Sequence, residues 1–298
     1  MIDGLAVVDK PAGMTSHDVV GRCRKLFGQK KVGHAGTLDP DATGVLLVGL
    51  GRATRLMQYM TGLAKSYTTS IVLGVSTTTL DAAGEVTGEW DMSGVTLADA
   101  ERAATALTGT ILQVPPMVSA GKVGGRRLHE LARQGIEVER PAREVTVSRF
   151  SLTAPAGERG PHPVLRAGID CSSGTYVRVL AEDLGRALGG GAHVRDLRRT
   201  AVGPWGEADA VALDELGPDH VRPPAQAVPW LAAVTVADAG LEAAVGHGRV
   251  LTVEELGATG PGPWRVLGRH GDLLAVYEAH RAGTAKPRVV LGAAGPDR

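Results

Sequence analysis

The chain has few of the residues and patterns that mark secreted, zinc-bound or membrane proteins. Its two cysteines among 298 residues, Cys23 and Cys171, are too few for a disulfide framework or a four-thiolate zinc site. The longest apolar run, Val45 to Leu50, is far shorter than the roughly 18 residues of a membrane-spanning helix. The first residues, MIDGLAVVDKPAG, lack the basic and long apolar regions of a secretory signal. We therefore expect a cytoplasmic protein without a membrane segment.

Aromatic residues and excess charge are also scarce. Aromatics make up 3% of the chain, which argues against a broad base-stacking platform. Lys+Arg and Asp+Glu are both 32, so a uniformly basic nucleic-acid binder is excluded, although a locally basic face is not. Hydrophobic residues, in contrast, reach 43%, and there are 41 glycines, so we expect a sizeable core and important loops.

The balanced charge is distributed in blocks. Residues 1–60 and 117–150 each carry a net charge of +3, whereas residues 76–104 carry −5 and residues 205–242 carry −6. Such blocks can form a basic face opposite an acidic back. Ordinary scatter of surface charge is the alternative interpretation.

Hydrophobic periodicity, caps and turn residues predict short strands and helices, followed by a proline-rich linker over 217–230. About 65 residues after this linker, with strand-like runs such as 264–268 and 273–277, predict a small β-rich domain. The strands predicted before the linker are Gly4–Asp9, Val45–Leu50, Ser66–Gly74, Glu144–Leu152 and Val164–Cys171. The predicted helices are His17–Phe27 after a Thr15 or Ser16 cap, Thr96–Leu107 with Thr96 as cap and Asp99 completing a near capping box, Arg127–Gln134, and Thr175–Leu188.

The densest constellation of turn and polar residues is GHAGTLDPDATG, residues 33–44. Pro40 fixes its own φ and keeps Asp39 out of the helical region. Because the apolar run VLLVGL follows at once, Asp39 is expected at the rim of a sheet, a placement that suits a nucleophilic or general-base carboxylate. An aspartate that merely caps a turn is the alternative.

The same segment contains D-x-D-x-T, residues 39–43, the nucleophile loop of haloacid-dehalogenase-like phosphatases. Those enzymes place the loop at the end of a buried parallel strand, so an apolar run should precede the first aspartate. Here the apolar run follows it, and no regular alternation of strands and helices continues downstream. The pattern therefore disfavours a phosphatase.

Several separated motifs, taken together and in order, resemble the bacterial TruB-type tRNA pseudouridine-55 synthases over about residues 4–215. The motifs are KPAGMTS (10–16), GHAGTLDPDATGVLLVGLGRATRL (33–56), KSY (65–67), PPMVSAGKVGGRRLHELARQGIEVERPAREV (115–145), GTYVR (174–178) and HVRDLRRT (193–200). One departure is Val118, where the family commonly has a tyrosine before the Ser-Ala pair.

The resemblance implies an isomerase that converts uridine 55 in the T-loop of tRNA to pseudouridine, without a metal or other cofactor. It also implies an α+β fold with two parts. Residues 1–228 would form a pseudouridine-synthase-like catalytic domain on a mixed, mostly antiparallel sheet, with an RNA-clamping insertion at about 115–145. Residues 229–298 would form a small β-rich, PUA-like RNA-binding domain. The implied partner is the tRNA T-arm stem-loop, bound by a monomer that needs no protein partner.

The resemblance also assigns site residues. Asp39 matches the catalytic aspartate, and whether it attacks uracil C6 or ribose C1′ stays open. Arg178 matches its paired arginine, and Tyr67 matches a tyrosine that stacks on the target base and assists proton transfer. The implied substrate-binding residues are His34, Tyr67, Tyr176, Leu197 and, as a supporting charge, Lys10.

Two other functions remain open on the sequence. One is an RNA-binding or RNA-folding protein on the same scaffold, and the other is a related synthase that acts on ribosomal RNA or with a guide RNA. If the RNA interpretation holds, positive charge should cluster on the side of the Asp39 cleft. The acidic segments 76–104 and 205–242 should then lie away from the RNA.

Overall fold

The computed structural model describes residues 1–119, 121–123, 125–128, 131, 134–136, 138–155, 157 and 160–292. The strands of this part are β1 (Gly4–Lys10), β2 (Val32–Ala35), β3 (Thr43–Leu50), β4 (Lys65–Leu73), β5 (Val75–Thr77), β6 (Val86–Glu89), β7 (Gly109–Gln113), β8 (Lys122–Val123), β9 (Arg126–Arg127), β10 (Arg143–Thr153), β11 (Val164–Cys171), β12 (Ala192–Val202), β13 (Trp205–Gly206), β14 (Val211–Ala212), β15 (Ala232–Thr235), β16 (Leu251–Thr252), β17 (Trp264–Leu267), β18 (Leu273–Ala279) and β19 (Thr284–Val290). The helices are α1 (Ser16–Leu26), α2 (Met57–Thr61), α3 (Leu97–Ala106), α4 (Val177–Ala187), α5 (Ala239–Gly246) and α6 (Val253–Leu256), with 3-10 turns at Gly51–Leu56, Glu207–Asp209, Pro218–His220 and Pro224–Gln226.

A large mixed sheet forms the first part of the fold. Its strand order is β14-β1-β3-β12-β4-β11-β10-β7, with β2 paired to β3 and β13 paired to β12. Within the described residues, β1–β14 and β3–β12 are its parallel pairs and its other neighbours are antiparallel. The predicted mixed, mostly antiparallel sheet is therefore confirmed.

Strand β3 lies inside this sheet because it is apolar on both faces. Leu46 and Val48 pack against the α1 side of the sheet. Val45 and Leu47 pack on the opposite face, in a cluster that includes residues of the 51–56 turn and α2. Successive strand residues point to opposite faces, so a continuous apolar run is buried only when both faces are covered.

Local capping signals place two helices against the sheet. Thr15 caps α1, and its hydroxyl and backbone form a reciprocal capping box with Asp18. Thr96 caps α3 in the same way with Asp99, as the sequence predicts. Satisfying the free N–H groups of a first turn in this way stabilises a helix by about 1 kcal/mol.

Among the described residues, no helix has the length and apolar character needed to cross a membrane.

The second part of the fold is a five-stranded sheet in the order β15-β17-β18-β19-β16, which confirms the predicted β-rich domain. The segment predicted as a linker, 217–230, packs closely between the two sheets. Its Ala227 and Val228 are fully buried in a cluster that also contains Leu5 of β1 and Val276 of β18. The two parts of the chain therefore share this apolar cluster.

The structure differs from the sequence predictions at the start of two helices. The helix predicted over 127–134 is wrong at its start, because Arg127 lies in β9, paired with β8, and several of the residues that follow lie outside the described set. The helix predicted from Thr175 begins at Val177, with Tyr176 as a cap that makes no side-chain capping bond.

Both cysteines are buried, and burial raises the pKa of each thiol to about 11.

Candidate active site

A cavity of about 420 Å³ opens beside the loop that joins β2 to β3; we call it the Asp39 cavity. This volume lies in the range of small-molecule sites. Its lining includes five of the seven residues that the sequence singles out, together with Lys65, Ser119 and Arg199. The five are Asp39, Tyr67, Tyr176, Arg178 and Leu197.

The loop that carries Asp39 is held on both sides by the end of β1 and the start of α1. The ammonium of Lys10 donates to the carbonyl oxygen of Pro40 at 2.7 Å, and also to two carbonyls of its own turn. The hydroxyl of Ser16 accepts from the backbone N–H of Leu38 at 2.9 Å. The residues immediately before and after Asp39 are thus fixed to the two ends of the KPAGMTS motif, which gives this motif a structural explanation.

Lys10 itself is fully buried and does not line the Asp39 cavity. Burial lowers the pKa of Lys10 to about 8, although the carboxylates of Asp41 and Asp39 oppose this. The structure therefore places Lys10 under the loop, where it supports Asp39 from behind, while the substrate contact predicted for it has no counterpart in the cavity lining.

Arg178, in the first turn of α4, is almost completely buried and points at Asp39. Its Nε lies 3.0 Å from the Oδ2 of Asp39. Its terminal nitrogens donate to the carbonyl oxygens of Thr79 at 2.7 Å and Val118 at 2.8 Å. With so many fixed partners, the guanidinium has little freedom and aims the carboxylate of Asp39.

Asp81 is a second carboxylate at Arg178, 3.4 Å from its Nη1, and the sequence did not predict it. It lies beside Asp39 in a further depression that also contains Asp41. Asp81 belongs to the acidic segment 76–104, so the expectation that this segment lies away from the cleft is wrong. Leu80, directly before it, adopts a left-handed φ of 63°, and this sharp local turn brings the acidic segment back to the site.

The surroundings of Asp39 act on its pKa in opposite directions. Burial raises this pKa, and the negative charge of Asp81 adds to the effect, while Arg178 and Lys10 oppose it. Partial burial makes the Asp39 carboxylate a stronger base and nucleophile than a fully solvated one, while Arg178 favours its ionised form.

Tyr67 and Arg199 form the wall beneath this carboxylate. They are cross-strand partners on β4 and β12, and both line the Asp39 cavity. Burial raises the pKa of Tyr67, and the positive charge of Arg199 opposes that shift. Sequence reasoning missed Arg199, although Arg198 and Arg199 are adjacent in a strand and must point to opposite faces. Arg198 pairs with Asp9 and Glu207, whereas Arg199 enters the cavity.

Backbone features position Tyr176 and Leu197, two further predicted residues, in the lining of the cavity. Gln113 exchanges two hydrogen bonds with the backbone of Tyr176, at 2.7 and 3.1 Å, and so fixes the start of α4. Leu197 follows Asp196, whose φ of 57° marks a bulge in β12. A bulge reorients the side chains that follow it, which explains how Leu197 reaches the lining of the Asp39 cavity.

His34 lies on β2, outside the lining of the Asp39 cavity. Its ring meets that of His17 edge-on, with centroids 6.4 Å apart. Burial lowers the pKa of His34, and His17 and Arg199 add to this. The predicted RNA contact of His34 would therefore lie beside the cavity.

Comparison with known proteins agrees with this geometry. The model for the TruB family pseudouridylate synthase N-terminal domain matches residues 24–177. The chain belongs to the TruB family of pseudouridylate synthases. The model for the tRNA pseudouridylate synthase B C-terminal domain matches residues 178–222, which cover α4 and β12 to β14. The chain is thus an isomerase, and the phosphatase interpretation of residues 39–43 is excluded.

Curated relatives and solved structures extend the family match to nearly the whole chain. A protein of Thermobifida fusca (strain YX) named tRNA pseudouridine synthase B is 46% identical over 295 residues, covering 98% of this chain and 99% of that protein. Its namesake from Symbiobacterium thermophilum is 51% identical over 237 residues, 79% of each chain. A chain of a Cbf5-Nop10-Gar1 complex superposes with a TM-score of 0.68 at 28% identity, covering 93% of this chain and 78% of the other.

Proposed function

We propose that this synthase converts uridine 55 in the T-loop of tRNA to pseudouridine, with Asp39 as the nucleophile or base. The observation that carries the proposal is the pairing of Asp39 with buried Arg178 at a cavity of nucleoside size, in a member of this family. The curated relatives named tRNA pseudouridine synthase B support tRNA as the substrate.

The isomerisation requires few protein groups besides those that line the Asp39 cavity. The bond between N1 of uracil and C1′ of ribose breaks, the ring turns, and a bond forms between C5 and C1′; the C5 proton leaves and N1 takes up a proton. Asp39 supplies a carboxylate for attack at C6 or C1′, and Arg178 aims it. Tyr67 and Leu197 offer flat and apolar surfaces to the ring. Extruding the uridine from the loop costs a few kcal/mol, which stacking and edge contacts offset.

Other parts of the chain would hold the RNA outside the cavity. In this proposal residues 1–228 form the catalytic domain, and the basic insertion at about 115–145 binds phosphates of the T-arm. Residues 229–298 form a PUA-like RNA-binding domain. The enzyme would act as a cytoplasmic monomer without a cofactor.

The test is release of tritium from tRNA transcripts whose uridines carry tritium at C5. We expect about one equivalent per tRNA, and no release from a transcript in which cytidine replaces uridine 55. Undiminished release from the cytidine transcript would refute the assigned position. The absence of release from an intact T-arm stem-loop and from full-length tRNA would refute the function.

A further inference from the structure

We propose that Gln113 is a positioning residue for the pair formed by Asp39 and Arg178. Its side-chain amide fixes the backbone of Tyr176, the residue from which α4 starts, and so sets where Arg178 holds the carboxylate. The inference deepens the proposed function and rests on it for its catalytic meaning. The hydrogen bonds of Gln113 belong to the fold and can be tested on their own.

The amide of Gln113 matches both polar groups of the Tyr176 backbone. Gln113 is the last residue of β7 and is 2% exposed. Its Oε1 accepts from the backbone N–H of Tyr176 at 2.7 Å, and its Nε2 donates to the carbonyl oxygen of Tyr176 at 3.1 Å. Such a pair requires a side chain that presents an acceptor and a donor side by side, which an amide does.

Helix α4 depends on this contact because it has no side-chain cap of its own. Tyr176 occupies the cap position, and its side chain makes no capping bond. The carbonyl oxygen of Tyr176 accepts from the first-turn N–H groups of Val179 and Leu180, at 3.1 and 3.2 Å. Gln113 therefore holds the same residue on which the first turn of α4 closes, at an end where helices otherwise fray.

The catalytic pair begins two residues further on. The Nε of Arg178 lies 3.0 Å from the Oδ2 of Asp39. Because Arg178 belongs to the first turn of α4, a shift of Tyr176 moves the backbone that carries the guanidinium. Misplacement of a reacting group by about 1 Å can slow a reaction by about 100-fold.

The same contact sets one wall of the Asp39 cavity. Residues 173–176 line the cavity. The β11 end of this segment is tied to β10, since the N–H of Ser172 donates to the carbonyl oxygen of Thr146 at 2.8 Å, and the Ser172 hydroxyl accepts from the N–H of Thr146 at 2.9 Å. Gln113 ties the α4 end of the segment to β7, so the wall is held between two neighbouring strands.

The first arm of the experiment removes both hydrogen bonds of Gln113. Gln113→Leu keeps a side chain of similar size and leaves the backbone of Tyr176 without this partner. We expect single-turnover tritium release from a saturating T-arm stem-loop to slow by about 10- to 100-fold, with a smaller change in binding. Gln113→Met takes its place if the leucine variant does not fold. A folded variant that reacts as fast as wild type would overturn the inference.

The second arm uses Gln113→Glu to make the positioning depend on pH. A protonated carboxylic acid has the acceptor and the donor of the amide, whereas the ionised form cannot donate to the carbonyl oxygen of Tyr176. A buried glutamic acid can have a pKa as high as about 8 to 9. The rate relative to wild type should therefore be highest near about pH 6 and fall by up to about tenfold per pH unit above that pKa, toward the rate of Gln113→Leu.

Thr110→Glu is the control for this titration, because it adds the same carboxyl group at an exposed position of β7. Its rate relative to wild type should be independent of pH. A ratio for Gln113→Glu that is equally independent of pH would contradict the inference, since the bonds to Tyr176 would then not control the rate.

Denaturant unfolding over the same pH range needs no tRNA. The introduced glutamate should have a higher pKa in the native than in the unfolded chain. The stability of Gln113→Glu relative to wild type should then be greatest at low pH and fall as the pH rises to the native pKa. A constant difference would count against the inference, whereas the expected fall together with an inactive wild-type enzyme would count against the proposed function alone.

Discussion

The Nε of Arg178 lies 3.0 Å from the Oδ2 of Asp39, yet the two side chains differ greatly in exposure. Arg178 is 5% exposed and Asp39 is 40% exposed. The guanidinium is locked in the protein, whereas the carboxylate that it aims can meet an incoming nucleotide. The pair thus separates positioning from reaction, and each half of it can be tested.

The first prediction concerns the reacting carboxylate. Asp39→Asn keeps the shape of the side chain but removes the negative charge that a nucleophile or base needs. We expect pseudouridine formation to fall by at least about 1,000-fold, with binding of the T-arm changed little. Tritium release and a binding titration measure the two effects.

Asp41→Asn is the matched control for this change. Asp41 is exposed, lies two residues away in the same loop and is not part of the Asp39 cavity lining. Its variant should retain activity within about threefold, because a solvated charge contributes little. Comparable activity of the two variants would refute the catalytic role of Asp39.

The second prediction concerns the acid limb of the pH–rate profile. The negative charge of Asp81 raises the pKa of Asp39, so Asp81→Asn should lower that pKa. The ionised, active form then persists to lower pH, and the acid limb of kcat/KM should move to lower pH. Arg178→Gln removes a charge of opposite sign and should move the limb to higher pH, with a loss of rate. Profiles that move in the same direction would contradict this electrostatic account.

Asp39 and Asp81 show which parts of the site the sequence could and could not predict. Asp39 was predicted at a sheet rim because Pro40 and the apolar run beside it are local signals. Asp81 was not predicted, because its approach depends on the left-handed φ of Leu80 and on contacts between distant strands. A net charge of −5 over 76–104 describes an average and does not locate one carboxylate.

Arg199 was missed for a different reason. The pattern HVRDLRRT marks a strand with two adjacent arginines, and alternation alone requires one of them to face inward. Which face is the cavity depends on the bulge at Asp196 and on the pairing of β12 with β3 and β4. The helix caps and the β-rich domain follow from local patterns and the mixed sheet from the family resemblance, whereas the walls of the cavity depend on register.

The third prediction concerns Lys10 and alkaline stability. Burial lowers the pKa of Lys10 from 10.5 to about 8, so between these pH values the unfolded chain binds more protons than the native one. The contribution of Lys10 to the free energy of unfolding therefore rises with pH across this window, by roughly 1 to 3 kcal/mol.

Denaturant unfolding of wild type and Lys10→Met from pH 7 to 11 measures this effect as the difference between the two proteins. The difference should grow in favour of wild type between about pH 8 and 10.5, because other titrating groups are common to both. Lys30→Met, at an exposed lysine, is the control and should give a flat difference. A flat difference for Lys10→Met as well would show that Lys10 has the same pKa in the native and the unfolded protein.

The last prediction compares two glycines with positive φ. Gly13 has a φ of +77° and open space where a Cβ would lie, whereas a Cβ on Gly44 would collide with the backbone of Arg199. Gly13→Ala should cost only the conformational strain, about 1 kcal/mol of unfolding free energy. Gly44→Ala adds a backbone clash between β3 and β12, so it should cost about 3 kcal/mol or more and displace Arg199 beneath the cavity. Chemical denaturation measures both costs. Equal destabilisation of the two variants would show that the close approach of β3 and β12 at Gly44 adds nothing to the loss of unfolding free energy.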